Sequence, residues 1–300
     1  MEAANLNELC HLCNTIAPLR ESHVIPRFVY KWLKDSSGTG FLRFGEEPNR
    51  RVQDGFKQKW LCSACEGMFN KWETLFANTI FHSLNRDASL QIHYDDWLLK
   101  FCTSVSWRTL NYCIKVLEID HFPKDLQITA ITAHDTWKKF LLGDIRHPGI
   151  YEQNFWPFDI ISQCNIPNAP PNLHRYMFRT VDIDACFSNK NAFVYSKLGK
   201  FVILGFIKKS SQREWGGTKV RLRHGTIKPG ICAFPISFFE YIFGKARRCI
   251  EIESEISEEQ REKIKVSQHS NIERTLSSES LKISLEDIRV FGRKALKRKP

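Results

Sequence analysis

Two identical cysteine spacings restrict the fold of this chain more than anything else in it. Cys10-His-Leu-Cys13 and Cys62-Ser-Ala-Cys65 are C-x-x-C pairs with 48 residues between them. Each such turn offers two sulfurs from one tight loop, and four thiolates complete the tetrahedron that a structural zinc ion takes. A dithiol redox centre is the competing reading, but that motif stands singly in a βαβ pattern, which is absent here. The other six cysteines (Cys102, Cys113, Cys164, Cys186, Cys232 and Cys249) are scattered and read as small buried hydrophobes. The opening MEAANLNELC is polar and unlike a secretory signal. A cytoplasmic protein is expected, with thiols and metal ligands in place of disulfides.

The spacing of apolar residues gives an α+β chain in four segments, at 1–85, 86–172, 173–250 and 251–300. In the first, Pro26 opens a helix with Phe28, Val29, Trp32 and Leu33 at helical spacing, ended by the run Asp35-Ser-Ser-Gly-Thr-Gly40. One short strand is expected at 41–44. Cys65 opens a second helix whose apolar face is Phe69, Trp72, Phe76 and Ile80. A knuckle, a hairpin or loop, and a knuckle at a helix start make the treble-clef zinc layout.

The second segment reads as helices at 95–118 and 125–142, then a connection at 147–172 stiffened by five prolines. The third reads as a basic antiparallel sheet with strands at 176–183, 192–195, 201–207 and 218–224, closed by a helix at 236–248. The fourth is a charged helical tail with a basic end. With 22 Phe and 8 Trp the chain can build a packed core. Its best apolar run, Phe201 to Ile207, is far too short for a membrane span, so no membrane partner is expected.

The formal charge is +11, unevenly spread. Residues 1–75 hold ten basic and nine acidic side chains, whereas residues 197–248 hold twelve and two. Lys219, Arg221 and Arg223 alternate along one expected strand, so they share a face, with Trp215 just before them. Lys208, Lys209, Arg213, His224 and Lys228 lie nearby. Such a face beside an aromatic suits a nucleic-acid backbone, although a solvated sheet face alternates in the same way. Arg293, Lys294, Lys297, Arg298 and Lys299 add attraction for polyanions.

Between the knuckles lies Ser22-His-Val-Ile-Pro26, followed by Asn49 in a loop and then Leu61-Cys-Ser-Ala-Cys-Glu66. This order over residues 8–80 resembles the zinc-stapled HNH endonuclease superfamily, and the two segments resemble uncharacterised bacterial proteins with an HNH-like front end. The resemblance implies an HNH-like ββα unit that hydrolyses phosphodiester bonds, with DNA as the substrate. His23 would be the general base and Asn49 the residue that orients it, while the four cysteines hold a zinc with no catalytic role. A catalytic Mg or Mn ion would sit near the last helix. There Glu66 follows the final cysteine, and Asn70 and Glu73 share its helix face. The family places an acidic or His ligand before its catalytic His. This chain has Ser22, a poorer cation ligand, and Glu21 beside it is a weaker candidate. A zinc-stapled nucleic-acid-binding module without catalysis is the alternative reading.

Overall fold

A hairpin carries the first knuckle. Strand β1 (Glu8–Leu9) pairs with β2 (Ile16–Ala17), and Asn14 takes the left-handed conformation (φ 60°) that closes the turn after Cys13. The computed structural model describes residues 8–296 except 118, 120, 121, 165 and 229–231. Strand β3 (Leu19–His23) leads through Pro26 into α1 (Arg27–Asp35), which buries Val29, Tyr30 and Leu33. The Ser36 and Ser37 hydroxyls donate to the carbonyls of Trp32 and Lys34 and close that helix. A ribbon of β4 (Leu42–Arg43) and β5 (Arg51–Val52) follows. Strand β6 (Lys57–Cys62) returns antiparallel to β3 and runs directly into α2 (Ser63–Phe76). A π-helical turn (Ala77–Phe81) and α3 (His82–Arg86) extend α2.

Next come β7 (Ile92–Tyr94), α4 (Trp97–Tyr112), α5 (Lys124–Leu142) and β8 (Gln153–Pro157). After α6 (Leu173–Arg179), strands β9 (Val181–Phe187), β10 (Ala192–Leu198) and β11 (Phe201–Lys208) complete an antiparallel sheet in the order β8-β11-β10-β9. Strand β12 (Gly225–Ile227) pairs with β7. Helices α7 (Ile236–Ser254), α8 (Glu258–His269), α9 (Ile272–Ser277) and α10 (Glu279–Phe291) form the tail. No described helix is long and apolar enough to cross a membrane.

The sheet is covered on both faces, so β10 and β11 read as continuous apolar runs. Val194, Leu198, Phe201, Ile203 and Ile207 face α4 and the front of the chain, while Phe193, Tyr195, Val202, Leu204 and Phe206 face α6 and α7. Helix α4 is the central spar, with every residue from Phe101 to Tyr112 buried. A Cβ on Gly205 would meet Ser106 Oγ at 2.6 Å, so glycine is what lets α4 approach the sheet this closely. Cys10, Trp60, Trp107, Trp137 and Val194 belong to one core, which draws on residues from 1–85, 86–172 and 173–250.

Three stretches depart from the sequence expectation. The expected strand 176–183 is split, because residues up to Arg179 belong to α6 and the strand begins at Val181. Both ends of that seven-residue helix are satisfied from far away. Asp287 of α10 accepts from the backbone N–H groups of His174 (2.8 Å) and Arg175 (3.1 Å), and from the His174 ring and Arg175 Nε. Lys197 Nζ donates to the carbonyls of Met177 and Thr180 at the other end, and also to that of Gly199 in the β10–β11 turn. Orphan groups at helix ends need such partners, and no local pattern announces them. Residues 218–224, expected as a strand, make only one isolated bridge, Lys219 to Asn154, and bend at Leu222 and Arg223. The proline-rich connection contains β8, an edge strand, where Pro157 costs no ladder bond.

Asp287 and His174 are fully buried, and Arg175 is partly so. Asp287→Ala is therefore expected to cost about 3 kcal/mol, because it strands the buried donors of α6. Urea unfolding compared with wild type measures it.

Candidate metal centre and the histidine beside it

The hairpin of β3 and β6 sets the first knuckle on the second. Its register slips between Arg20 and Glu21: Arg20 faces Leu61 and Glu21 faces Lys59, leaving Trp60 as an extra residue on β6. Such a bulge frees one residue from the ladder. The freed carbonyl of Trp60 accepts from the N–H of His11 at 2.9 Å, inside the first knuckle. Lys138 of α5 clamps the same turn, donating to the His11 carbonyl and to Asn14 Oδ1.

The result is a cluster of Cys10, Cys13, Cys62 and Cys65, whose sulfurs all lie within 4.8 Å of one another. Cys13 Sγ and Cys62 Sγ are 3.7 Å apart. That is far beyond the ~2.05 Å of a disulfide. It matches the edge, about 3.8 Å, of a sulfur tetrahedron around an ion with ~2.3 Å bonds. The N–H of Cys62 points at Cys10 Sγ, 3.4 Å away. Burial pushes the Cys10 and Cys65 thiols up, while bonds from Thr15 and its neighbours outweigh burial at Cys13 and bring it down to about 6. Four sulfurs so close can all ionise only around a cation. These residues fit a metal ion such as zinc, and among the described residues they are the one cluster of three or more His, Cys, Asp or Glu that could hold one.

His23 ends β3, with its side chain 13% exposed. Its Nε2 lies 2.9 Å from Asp54 Oδ1, and its ring leans on Tyr30. Asp54 also receives Lys57 Nζ at 2.9 Å and the N–H of Gly55 at 2.9 Å. Burial raises its carboxyl, but the bonds from Lys57, His23 and Gly55 prevail and hold it at about 2. The pairing therefore adds stability that is full above the unfolded value of 3.8 and is lost as the pH falls through 2. The difference in unfolding free energy between wild type and Asp54→Asn is expected to shrink as the pH falls below about 4. Urea titrations across that range check it.

Beneath His23, Arg108 of α4 donates to the His23 carbonyl at 2.8 Å and pairs with Glu73 Oε1 at 2.7 Å. Burial raises the Glu73 carboxyl although Arg108 opposes it. Ser22, itself buried, donates to Glu66 Oε2.

The four cysteines come together. His23 and the Ser22–Glu66 pair share the hairpin and α2, whereas Glu73 is engaged by Arg108 and Asn70 is exposed. Glu21 is exposed, 3.9 Å from Lys57 Nζ. Asn49 is not brought to His23. Its Nδ2 donates to the Glu255 carbonyl (3.1 Å) and its Oδ1 accepts from the N–H of Ser257 (2.7 Å), so it ties the 44–50 loop to the α7–α8 turn. The partner of His23 is Asp54, which the sequence reading missed. Its signal was the Asp-Gly turn entering β6, because a hairpin puts that turn opposite the end of β3.

Lys219, Arg221 and Arg223 are exposed and alternate with buried Val220 and half-buried Leu222. Lys219 pairs with Glu152, which also holds Lys209. Trp215 is 2% exposed, packed on Phe193, Phe206 and Phe238, and offers no ring face to a ligand. Lys297, Arg298 and Lys299 lie outside the described residues. No protein-family model, no curated protein and no solved structure matches this chain.

Proposed function

We propose that the chain is an HNH-like, metal-dependent endonuclease that hydrolyses DNA phosphodiester bonds from a zinc-stapled treble clef. The observation that carries this reading is the His23–Asp54 pair at the end of a hairpin that runs into α2. With the proton on Nε2 donated to Asp54, the Nδ1 lone pair is left to take a proton from water. The carboxylate fixes the tautomer and steadies the imidazolium that forms. Arg108, bonded to the His23 carbonyl, fixes the backbone that aims the ring. The four cysteines would hold zinc, which joins the two knuckles and takes no part in the reaction.

Glu66 is the residue to bind a catalytic Mg or Mn ion, and Ser22 orients its carboxylate. A cation there would stabilise charge on the leaving oxygen. Asn70 could add a ligand only by turning in from solvent.

Supercoiled plasmid incubated with the protein is expected to be nicked when Mg²⁺ or Mn²⁺ is supplied, and much more slowly by Glu66→Gln. Intact plasmid under every divalent cation, with the protein still binding DNA, would leave the non-catalytic binding module as the function.

A further inference from the structure

Tyr30 of α1 meets both members of the His23–Asp54 pair. Its ring lies 6.1 Å from the His23 ring, centroid to centroid, at 34°. It also closes on the Asp54–Gly55 turn, where a Cβ on Gly55 would overlap carbons of the Tyr30 ring. Gly55 does not have a positive φ, so the backbone alone does not call for glycine there, and the approach of the ring does.

The same turn seats the Asp54 carboxylate. Its Oδ1 accepts from the Gly55 N–H and meets His23 Nε2, each at 2.9 Å. The N–H of Val24 donates to the Phe56 carbonyl at 3.2 Å, so the residue after His23 is joined directly to the residue after Gly55. Tyr30 is held firmly against this junction. It is 5% exposed and shares a core with Ile25, Val29 and Leu33. The far end of α1 is gripped by Arg179, which donates to the Leu33 carbonyl at 2.8 Å, and by Arg274, which donates to that of Lys34 at 2.9 Å. Burial and the nearby Asp54 charge push the Tyr30 hydroxyl up, so the ring stays neutral and contributes shape without charge.

One hydrogen bond at Nε2 leaves an imidazole free to rock about that bond. A rigid ring beside it removes the rocking. Aim matters to a general base, because a misplacement of about 1 Å can cost about a hundredfold in rate. We propose that Tyr30 is a positioning residue of the pair, holding the His23 ring and the Asp54–Gly55 turn in register with each other. The placement of the pair is a property of the fold, and only its effect on cutting rests on the nuclease reading.

Nitrogen-resolved NMR of the His23 ring, assigned by the signals missing from His23→Ala, reads the tautomer without any cutting. The neutral wild-type ring is expected to carry its proton on Nε2. In Tyr30→Leu and in Gly55→Ala it should divide between Nε2 and Nδ1. Single-turnover plasmid nicking by both variants should fall about tenfold to a hundredfold, with its dependence on DNA concentration unchanged. The first variant opens space and the second fills it, so a loss common to both reports the contact geometry and not one packing fault. Tyr30→Phe keeps the ring and should preserve both readings.

An undivided tautomer in Tyr30→Leu or in Gly55→Ala overturns the proposal, and so does an equal loss in Tyr30→Phe. Melting curves and zinc content identify a variant that fails to fold, and the other then decides. The nuclease reading is judged separately. A divided tautomer in the variants, with no plasmid cut even by wild type, sinks the nuclease alone. Wild-type cutting, with the tautomer untouched in the variants, sinks this inference alone.

Discussion

Cys62→Ser is expected to empty the metal centre and unfold the front of the chain while the sheet survives. One sulfur of four is lost, and the others are left crowded within 4.8 Å without the charge that lets them ionise together. Metal binding in such sites supplies about 10–16 kcal/mol in small zinc units. Little else there replaces it, because β1, β2, β4 and β5 are two residues long and strands of that length do not stand alone. Helix α4 and the sheet share a core with the knuckles, but they also bury side chains in two other cores and should persist. Plasma emission spectrometry is expected to find one zinc per chain in wild type and none in the variant. Hydrogen exchange should become fast over residues 8–62 and stay slow over α4, β10 and β11. Slow exchange over residues 8–62 after complete chelation would refute the stapling role.

His23→Ala is expected to lower the single-turnover rate of plasmid cutting by about a hundredfold to ten-thousandfold, the range a positioned general base contributes. Stability should change little, since the ring gives up one hydrogen bond, to Asp54, and its contact with Tyr30. Asp54→Asn keeps the shape but removes the charge that holds the tautomer, so its loss should be smaller yet clear. Rates from fluorescent plasmid nicking, with melting points recorded in parallel, separate chemistry from folding. A His23→Ala protein that cuts at the wild-type rate would remove the mechanism.

Much of the framework was legible because it is written locally. Phe69, Phe76 and Ile80 are buried as their helical spacing requires, Pro26 starts α1, and the continuous runs at 192–198 and 201–208 pair as β10 and β11. The cysteine cluster was legible because two short turns carry all four ligands. What escaped depends on partners distant in sequence. Helix α6 exists through Asp287 and Lys197, more than a hundred residues away in one case. Asn49 looked like an orienting residue only because it lay in the right loop, and its real partners come 206 and 208 residues later. Trp215 sat beside a basic run, yet a ring beside Gly216 and Gly217 can turn inward just as easily, and it does.

The bridge made by Asn49 also sets an order in time. The loop that carries it is synthesised 206 and 208 residues ahead of the Glu255 and Ser257 backbone groups it binds, so its carboxamide is seated only once the α7–α8 turn has also been made. The segment beside the metal knuckles is thus seated late relative to its synthesis, and the α7–α8 turn acts as its fastener.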